Sequence, residues 1–219
     1  MEEHTLNNQS DSFQVEQYIF SKDWFSHNIS NLELIFERFR PARILEIGSF
    51  EGRSTVFFIE KAKQHHENVE LYCVDTWQGA REHAHIDMPS VEKCFVHNLE
   101  RACKLFSNVT VTKHKGLSHQ VMMELLVKGY QNYFDFIYVD GSHEAPDVLF
   151  DALLAHRLVK VGGVIAFDDY LWSPNKVMED DHYLLVKPAV DHYVNTYQQK
   201  VHVLQLYQIY QLYVQKLAD

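Results

Sequence analysis

The sequence predicts an α/β fold in which a mostly parallel central sheet carries helices on both faces and ends in a C-terminal antiparallel strand pair. Short apolar runs alternate along the chain with segments whose apolar residues recur at helical spacing. Such a β-α succession is typical of parallel sheets with right-handed crossovers. Glycine or acidic residues follow the apolar runs, at the strand ends where parallel sheets bind ligands. Residues 201–214 are rich in β-formers and predict a closing hairpin.

The strands and helices are predicted in order from these patterns. Ile44, Leu45 and Ile47 form the first buried run, which a glycine turn joins to a helix carrying residues 56–59. Further strands are predicted at residues 71–74, 109–112, 134–139 and 164–167. Further helices are predicted at residues 91–106, from Ser118 onward, and at 146–158 after a helix-starting proline. A turn at Gly162 and Gly163 precedes the fifth strand.

The segment before the first strand is predicted to be a separate unit. Residues up to about 11 are expected to form a disordered tail, and the aromatic-rich stretch 13–39 is expected to be mostly helical. Ser30 and Glu33 have the spacing of a capping box, and Pro41 stops the helix. The chain therefore divides into an N-terminal tail and helical segment, residues 1–40, and one domain, residues 41–219.

The composition limits the partners and the location of the protein. Of its 219 residues, 46% are apolar and 13% aromatic, which is enough for a sizeable core. The 20 Lys and Arg against 30 Asp and Glu give a formal charge of −10, so nucleic acid is a poor partner. The 3 cysteines show no CxxC spacing and favour a reducing, cytoplasmic location. Neither a signal peptide nor a run of ~20 apolar residues is visible, so no membrane partner is predicted.

The most informative segment is the junction at residues 43–55, a predicted strand, glycine turn and helix. Gly48 and Gly52 permit a tight backbone, and Ser54 is placed to cap the helix. Amides at such a helix start favour an anionic group of a ligand. A glycine turn of this kind can also be plain packing, so the interpretation depends on the residues downstream.

Polar groups also mark the later strand ends. Asp75 closes the second strand at about the distance from Gly52 at which an acidic residue binds ribose in dinucleotide folds. A turn-forming role for Asp75 is the alternative. The other strand ends carry residues 116–118, Asp140 with His143, and Asp168 with Asp169. Because parallel strands end at one edge of the sheet, these groups are expected to form a single site.

Four sequence blocks together resemble a known class of enzymes, the class I S-adenosylmethionine-dependent methyltransferases. The blocks are residues 43–54, 74–79, 138–143 and 162–170, and the resemblance covers roughly residues 23–214. The resemblance is to the small-molecule branch, with its catechol-type and sugar or natural-product O-methyltransferases, and it implies their Rossmann-like fold. Phe50 departs from the pattern, because the glycine loop of the class commonly has a glycine there.

The resemblance implies a site for S-adenosylmethionine at the strand ends. Glu46 and the turn backbone would hold the methionine moiety, Asp75 would hold the ribose, and Trp77 would offer a ring for stacking at the adenine. The implied cofactor contacts are Glu46, Gly48, Ser49, Phe50, Gly52, Ser54, Asp75, Thr76, Trp77, Gly116, Ser118 and Asp140.

The resemblance also implies the chemistry. In the catechol-type branch one Asp after the fourth strand and an Asp-Asn or Asp-Asp pair after the fifth bind Mg²⁺, and Asp140, Asp168 and Asp169 match them. The cation would chelate vicinal hydroxyls of the acceptor and lower the pKa of the attacked one. His143 falls where those enzymes carry a lysine base, so His143 and Asp140 are the predicted catalytic residues. His143 could instead stabilise its loop or touch the cofactor.

The resemblance thus implies methyl transfer to a hydroxyl of a small polyhydroxylated acceptor. A non-catalytic cofactor-binding or scaffold protein with the same fold is an alternative, because a fold does not dictate activity. A nicotinamide-dependent dehydrogenase is the weaker alternative, since residues 48–52 lack the GxGxxG order. The sequence specifies neither the acceptor nor the oligomeric state, and a homo-oligomer is one option.

Overall fold

The computed structural model describes residues 17–80, 83–173, 181–207 and 210–219. Its strands are β1 (Arg43–Ile47), β2 (Val69–Asp75), β3 (Val109–Lys115), β4 (Phe134–Val139), β5 (Val159–Phe167), β6 (Val201–Leu204) and β7 (Leu212–Lys216). Its α-helices are α1 (Ile29–Phe39), α2 (Arg53–Lys63), α3 (Met88–Leu105), α4 (Ser118–Val127), α5 (Ala145–Leu158) and α6 (Val186–Thr196).

The strands form one seven-stranded sheet in the order β3-β2-β1-β4-β5-β7-β6. β1 to β5 pair in parallel, whereas β7 runs antiparallel to both β5 and β6. This confirms the predicted Rossmann-like α/β fold with its C-terminal antiparallel pair. The strand order reverses between β1 and β4, which is where ligands bind in open parallel sheets.

The sheet is buried on both faces, because successive residues of a strand point to opposite sides. Ile44 and Phe136 contact the apolar cluster that includes α1, α2 and α3. Their neighbours Leu45 and Ile137 contact the cluster that includes α4, α5 and α6. The predicted helices on both faces are thus confirmed. None of the described helices combines the length and the apolar character required for crossing a bilayer.

The segment before β1 is less helical than the sequence predicts. Within the predicted helical stretch 13–39, the described residues form a short 3-10 turn at Ser26–Asn28 and then α1. The predicted start at Ser30 is wrong, because α1 begins at Ile29 after Asn28 without a side-chain cap. Glu33 pairs instead with Lys61 of α2 at 2.6 Å, so a tertiary partner replaces the local one. The predicted tail up to about residue 11 lies outside the described residues.

β5 is longer than predicted and contains its two glycines. The strand already begins at Val159, so the expected turn at Gly162 and Gly163 is wrong. Gly162 adopts φ +86°, and the register with β4 shifts between Phe134 and Phe136. The glycines therefore accommodate a bulge within the strand.

The end of β1 approaches the end of β4 so closely that only glycine fits between them. The Gly48 amide donates to the Val74 carbonyl at 2.8 Å, and the Asp140 amide donates to the Ile47 carbonyl at 2.8 Å. A Cβ atom on Gly48 would lie 1.8 Å from the carbonyl oxygen of Asp140, and φ at Gly48 is +85°. Gly48 therefore fixes the spacing between the turn after β1 and the segment after β4.

We expect Gly48→Ala to lower the free energy of unfolding by more than ~3 kcal/mol, because the new methyl group must displace backbone. Gly129→Ala is the matched control, since Gly129 has φ +90° but nothing within 4 Å of its Cβ position. The control should lose only the ~1–2 kcal/mol of a strained left-handed backbone. Urea unfolding of both variants measures the difference, and equal losses would contradict the steric explanation.

Candidate active site

Glu46 organises the turn that follows β1. Its side chain is fully buried and accepts hydrogen bonds from the hydroxyls of Ser49 at 2.7 Å and of Ser54 and Thr55 at 2.6 Å each. Burial raises the pKa of Glu46, and the three hydroxyl groups oppose that rise. Because the carboxylate is enclosed by these hydroxyls, Glu46 shapes the turn and does not present its oxygens to a ligand.

α2 begins at this turn without a side-chain cap. Gly52 is the N-cap residue, at φ +81°. The predicted cap by Ser54 is wrong, because its hydroxyl donates to Glu46. Thr55 binds the same carboxylate and was missed; a Ser-Thr pair following a buried acid is the signal that could have found it. The first turn of α2 places its amides at the carboxyl edge of the sheet, where they favour an anionic group.

The carboxylate of Asp75, at the end of β2, holds the same turn from the other side. Its Oδ2 accepts the backbone N–H groups of Ser49 and Phe50 at 2.9 Å each. Its Oδ1 accepts the N–H of Trp77 at 2.6 Å. Each carboxylate oxygen offers two lone pairs, so Oδ2 is saturated by these bonds while Oδ1 keeps one acceptor position. The bond from Trp77 agrees with the turn-forming alternative for Asp75, whereas the anchoring of the turn after β1 was not predicted from the sequence.

Trp77 lies beneath the turn. Its side chain is only 3% exposed, and its Nε1 donates to the Phe50 carbonyl at 3.0 Å. Its ring packs on Phe95, and Lys113 Nζ lies 4.3 Å from the ring centroid. The expected stacking of Trp77 on a ligand does not fit this burial. The neighbouring Thr76 stabilises the turn after β2, because its hydroxyl oxygen accepts the Gln78 N–H at 3.1 Å.

Other aromatic rings lie beside the turn, and Trp24 among them was given no role by the sequence. Trp24 is 51% exposed, and its ring centroid lies 5.1 Å from that of Phe50. His83 stacks on Trp24 at 5.7 Å with an interplanar angle of 12°. These rings provide the exposed aromatic surface that Trp77 does not.

The end of β3 joins the same edge. The Gly116 amide donates to the Asp75 carbonyl at 3.0 Å. Ser118, the first residue of α4, is half-buried and donates its hydroxyl to Asp151 Oδ1 of α5 at 2.7 Å. The structure thus brings residues 116–118 next to Asp75.

The ends of β4 and β5 bring Asp140, His143 and Asp169 together. Each of the three half-buried side chains places one ligating atom within 4.8 Å of the others. His143 Nε2 lies 2.9 Å from Asp169 Oδ2, and the His143 ring packs 4.4 Å from that of Trp172. Burial, followed by the charges of Asp168 and Asp169, raises the pKa of Asp140 well above its ordinary value. The cluster therefore concentrates negative charge that an imidazolium or a metal cation would compensate.

Asp168 takes part in a separate buried network. The residue is 7% exposed, and its carboxylate accepts from Asn28 Nδ2 at 3.1 Å, from Gln211 Nε2 at 2.9 Å and from the Tyr138 hydroxyl. The Asp169 amide also donates to it, at 2.9 Å. Because donors surround both oxygens, the expected metal-ligand role of Asp168 does not fit this arrangement. Asp169 adopts φ +53° directly after β5, and its side chain meets His143 instead of this network.

Comparison with known proteins places the chain in a family. The family described as "Methyltransferase domain" (Methyltransf_24) matches residues 45–170. Caffeoyl-CoA O-methyltransferase of Populus kitakamiensis is 27% identical over 141 residues, which cover 64% of this chain and 52% of that protein. Uncharacterized protein R132 of Acanthamoeba polyphaga mimivirus is 28% identical over 163 residues, covering 70% of this chain and 66% of that protein. The chain thus spans about half to two thirds of the length of these relatives.

Solved structures share the fold. The O-methyltransferase TomG from Streptomyces achromogenes, involved in tomaymycin synthesis and solved with SAM, superposes with a TM-score of 0.64 at 19% identity, covering 86% of this chain and 78% of that one. An O-methyltransferase from Bacillus cereus solved with SAH gives a TM-score of 0.61 at 18% identity, covering 90% and 84%. At these identities the likeness concerns the fold alone. Because the family match at residues 45–170 covers more than half of the chain, this protein belongs to the methyltransferase domain family.

Proposed function

We propose that this protein transfers the methyl group of S-adenosylmethionine to a hydroxyl group of a small polyhydroxylated acceptor. One observation carries the proposal: the turn held by Asp75 and the cluster around Asp140 lie at the same edge of the sheet. The backbone of Gly48 touches that of Asp140, so a ligand on the turn would lie beside the cluster. Membership of the methyltransferase domain family supports the proposal.

The cofactor would lie across the ends of β1, β2 and β3. The carboxylate of its methionine moiety would meet the amides at the start of α2. A ribose hydroxyl would donate to the acceptor position that remains on Asp75 Oδ1. The adenine would reach residues 116–118, which contact Asp75 through Gly116. In this arrangement Glu46 supports the turn from below.

His143 is proposed to take the proton of the acceptor hydroxyl. Methyl transfer forms an oxygen–carbon bond, breaks the sulfur–carbon bond of the sulfonium, and requires the hydroxyl to lose its proton. Nε2 is the ring atom that faces the cluster, 2.9 Å from Asp169 Oδ2. A hydrogen at Nε2 would be donated to the Asp169 carboxylate, which would orient the ring and stabilise the imidazolium that forms when the ring takes up a second proton.

The described residues fit the implied Mg²⁺ only in part. Asp140 and Asp169 supply the oxygen ligands that Mg²⁺ prefers, and His143 is the third member of their cluster. Asp168 is occupied by its hydrogen bonds. We therefore propose that Asp140 and Asp169 hold the cation. A bound cation would polarise the acceptor hydroxyl and lower its pKa.

We expect His143→Ala to slow methyl transfer by ~10²–10⁴-fold, the usual contribution of a general base. Affinity for S-adenosylhomocysteine should change by less than ~3-fold, because the turn is untouched. His192→Ala, at an exposed position of α6, serves as the control. Turnover of a catechol or polyol acceptor and calorimetry of product binding measure the two effects. A loss of affinity that parallels the loss of turnover would contradict the base role.

Removal of metal tests the assignment of the carboxylates. We expect EDTA to reduce turnover by at least ~10-fold and Mg²⁺ to restore it. Asp169→Asn should raise the Mg²⁺ concentration needed for half-maximal turnover, whereas Asp168→Asn should mainly lower the unfolding temperature, since Asp168 binds Asn28 and Gln211. Activity that resists EDTA, or equal Mg²⁺ requirements of the two variants, would contradict this assignment.

A further inference from the structure

A buried carboxyl group with no part in the proposed chemistry lies behind the turn that ends β3. Asp151 of α5 is 1% exposed, and its Oδ1 accepts the hydroxyl hydrogen of Ser118 at 2.7 Å. Its Oδ2 lies 3.9 Å from the Cβ position of Gly141, which directly follows Asp140. Asp151 therefore lies between the segments that follow β3 and β4, which are both assigned to the proposed site.

Burying the carboxyl group of Asp151 between these segments costs desolvation free energy. Burial raises the pKa of Asp151 to about 7, the Ser118 hydroxyl opposes that rise, and the charge of Asp147 adds to it. An apolar residue of similar volume would avoid the desolvation of a carboxyl group. The carboxyl group thus calls for a role beyond filling space between α4 and α5.

The contact decides what Ser118 can offer a ligand. A hydroxyl has one hydrogen to donate and two lone pairs that accept. Because the hydrogen of Ser118 is directed to Asp151, the outward side of the half-buried hydroxyl is left with acceptor character. Ser118 lies two residues after Gly116, whose amide donates to the Asp75 carbonyl. This acceptor is therefore at the adenine end of the proposed site.

We propose that Asp151 is a positioning residue which, by orienting the Ser118 hydroxyl as an acceptor, makes the cofactor site selective for a 6-amino purine over a 6-oxo purine. The inference rests on the proposed function, because it concerns the same site. The exocyclic amino group of adenine donates a hydrogen bond to such an acceptor. The 6-oxo oxygen of hypoxanthine is itself an acceptor and cannot bond to the acceptor side of the Ser118 hydroxyl. Sites built to bind a donor group reject analogues that lack the donor.

The test compares binding of S-adenosylhomocysteine and S-inosylhomocysteine by calorimetry at about pH 8, where the carboxyl group is ionised. The wild type should prefer the adenosyl ligand by ~100-fold. Asp151→Asn keeps an acceptor oxygen and should retain that preference within ~3-fold. Asp151→Leu keeps the branched shape of the side chain but removes the acceptor, and Ser118→Ala removes the hydroxyl, so each should reduce the preference by ~10-fold or more.

If Asp151 had a purely structural role, its substitution would change the stability of the protein but not the preference for the adenosyl ligand. The unfolding temperature of each variant is therefore measured as well. A folded Asp151→Leu variant with the wild-type preference would overturn the inference. If Asp151→Leu does not fold, an unchanged preference in Ser118→Ala overturns it equally. A wild type that binds neither ligand would overturn the proposed function and the inference with it, whereas binding of both ligands without preference overturns the inference alone.

Discussion

The carboxylate of Asp75 binds three backbone amides, and the geometry of the candidate site depends on this contact. Two of the amides belong to the turn after β1 and the third to the turn after β2. Hydrogen bonds to an ionised group each contribute ~1.5–3 kcal/mol, about twice a neutral one. These hydrogen bonds join the ends of β1 and β2, beside the point between β1 and β4 where the sheet order reverses. The Trp77 indole N–H donates to the Phe50 carbonyl and so supports the turn after β1 as well.

The carboxylates at this edge of the sheet differ in how their negative charge is compensated, and this difference separates the supporting residues from those proposed for chemistry. Glu46 is surrounded by three hydroxyls, and Asp168 by the donors of Asn28, Tyr138 and Gln211. Both charges are thereby satisfied inside the protein. The carboxylates of Asp140 and Asp169 are held apart from these networks beside His143. The groups proposed for chemistry are therefore the ones that lie outside the networks around Glu46 and Asp168.

The sequence predicted the fold well because its signals are local. Apolar runs of strand length and glycine or acidic residues after them predict a parallel sheet and the edge at which a site forms. The errors concern side chains whose partners are distant in the chain. Ser54 was expected to cap α2 but binds Glu46, and Trp77 was expected to face a ligand but packs on Phe95 and donates to the Phe50 carbonyl. Asp168 and Asp169 look equivalent in sequence, yet only the fold brings Asn28 to the first of them. The pairing of Ser118 with Asp151 is equally invisible, since it joins two helices.

Calorimetric titration of the wild type and of Asp75→Ala with S-adenosylhomocysteine tests most directly whether the edge of the sheet at Asp75 is a cofactor site. The wild type should bind one ligand per chain with ~micromolar affinity. Asp75→Ala should bind at least ~10-fold more weakly while still unfolding cooperatively, because it loses both the turn anchor and the acceptor proposed for the ribose. Absence of binding heat with the wild type, or unchanged affinity in a folded Asp75→Ala variant, would contradict the assignment of this edge to S-adenosylmethionine.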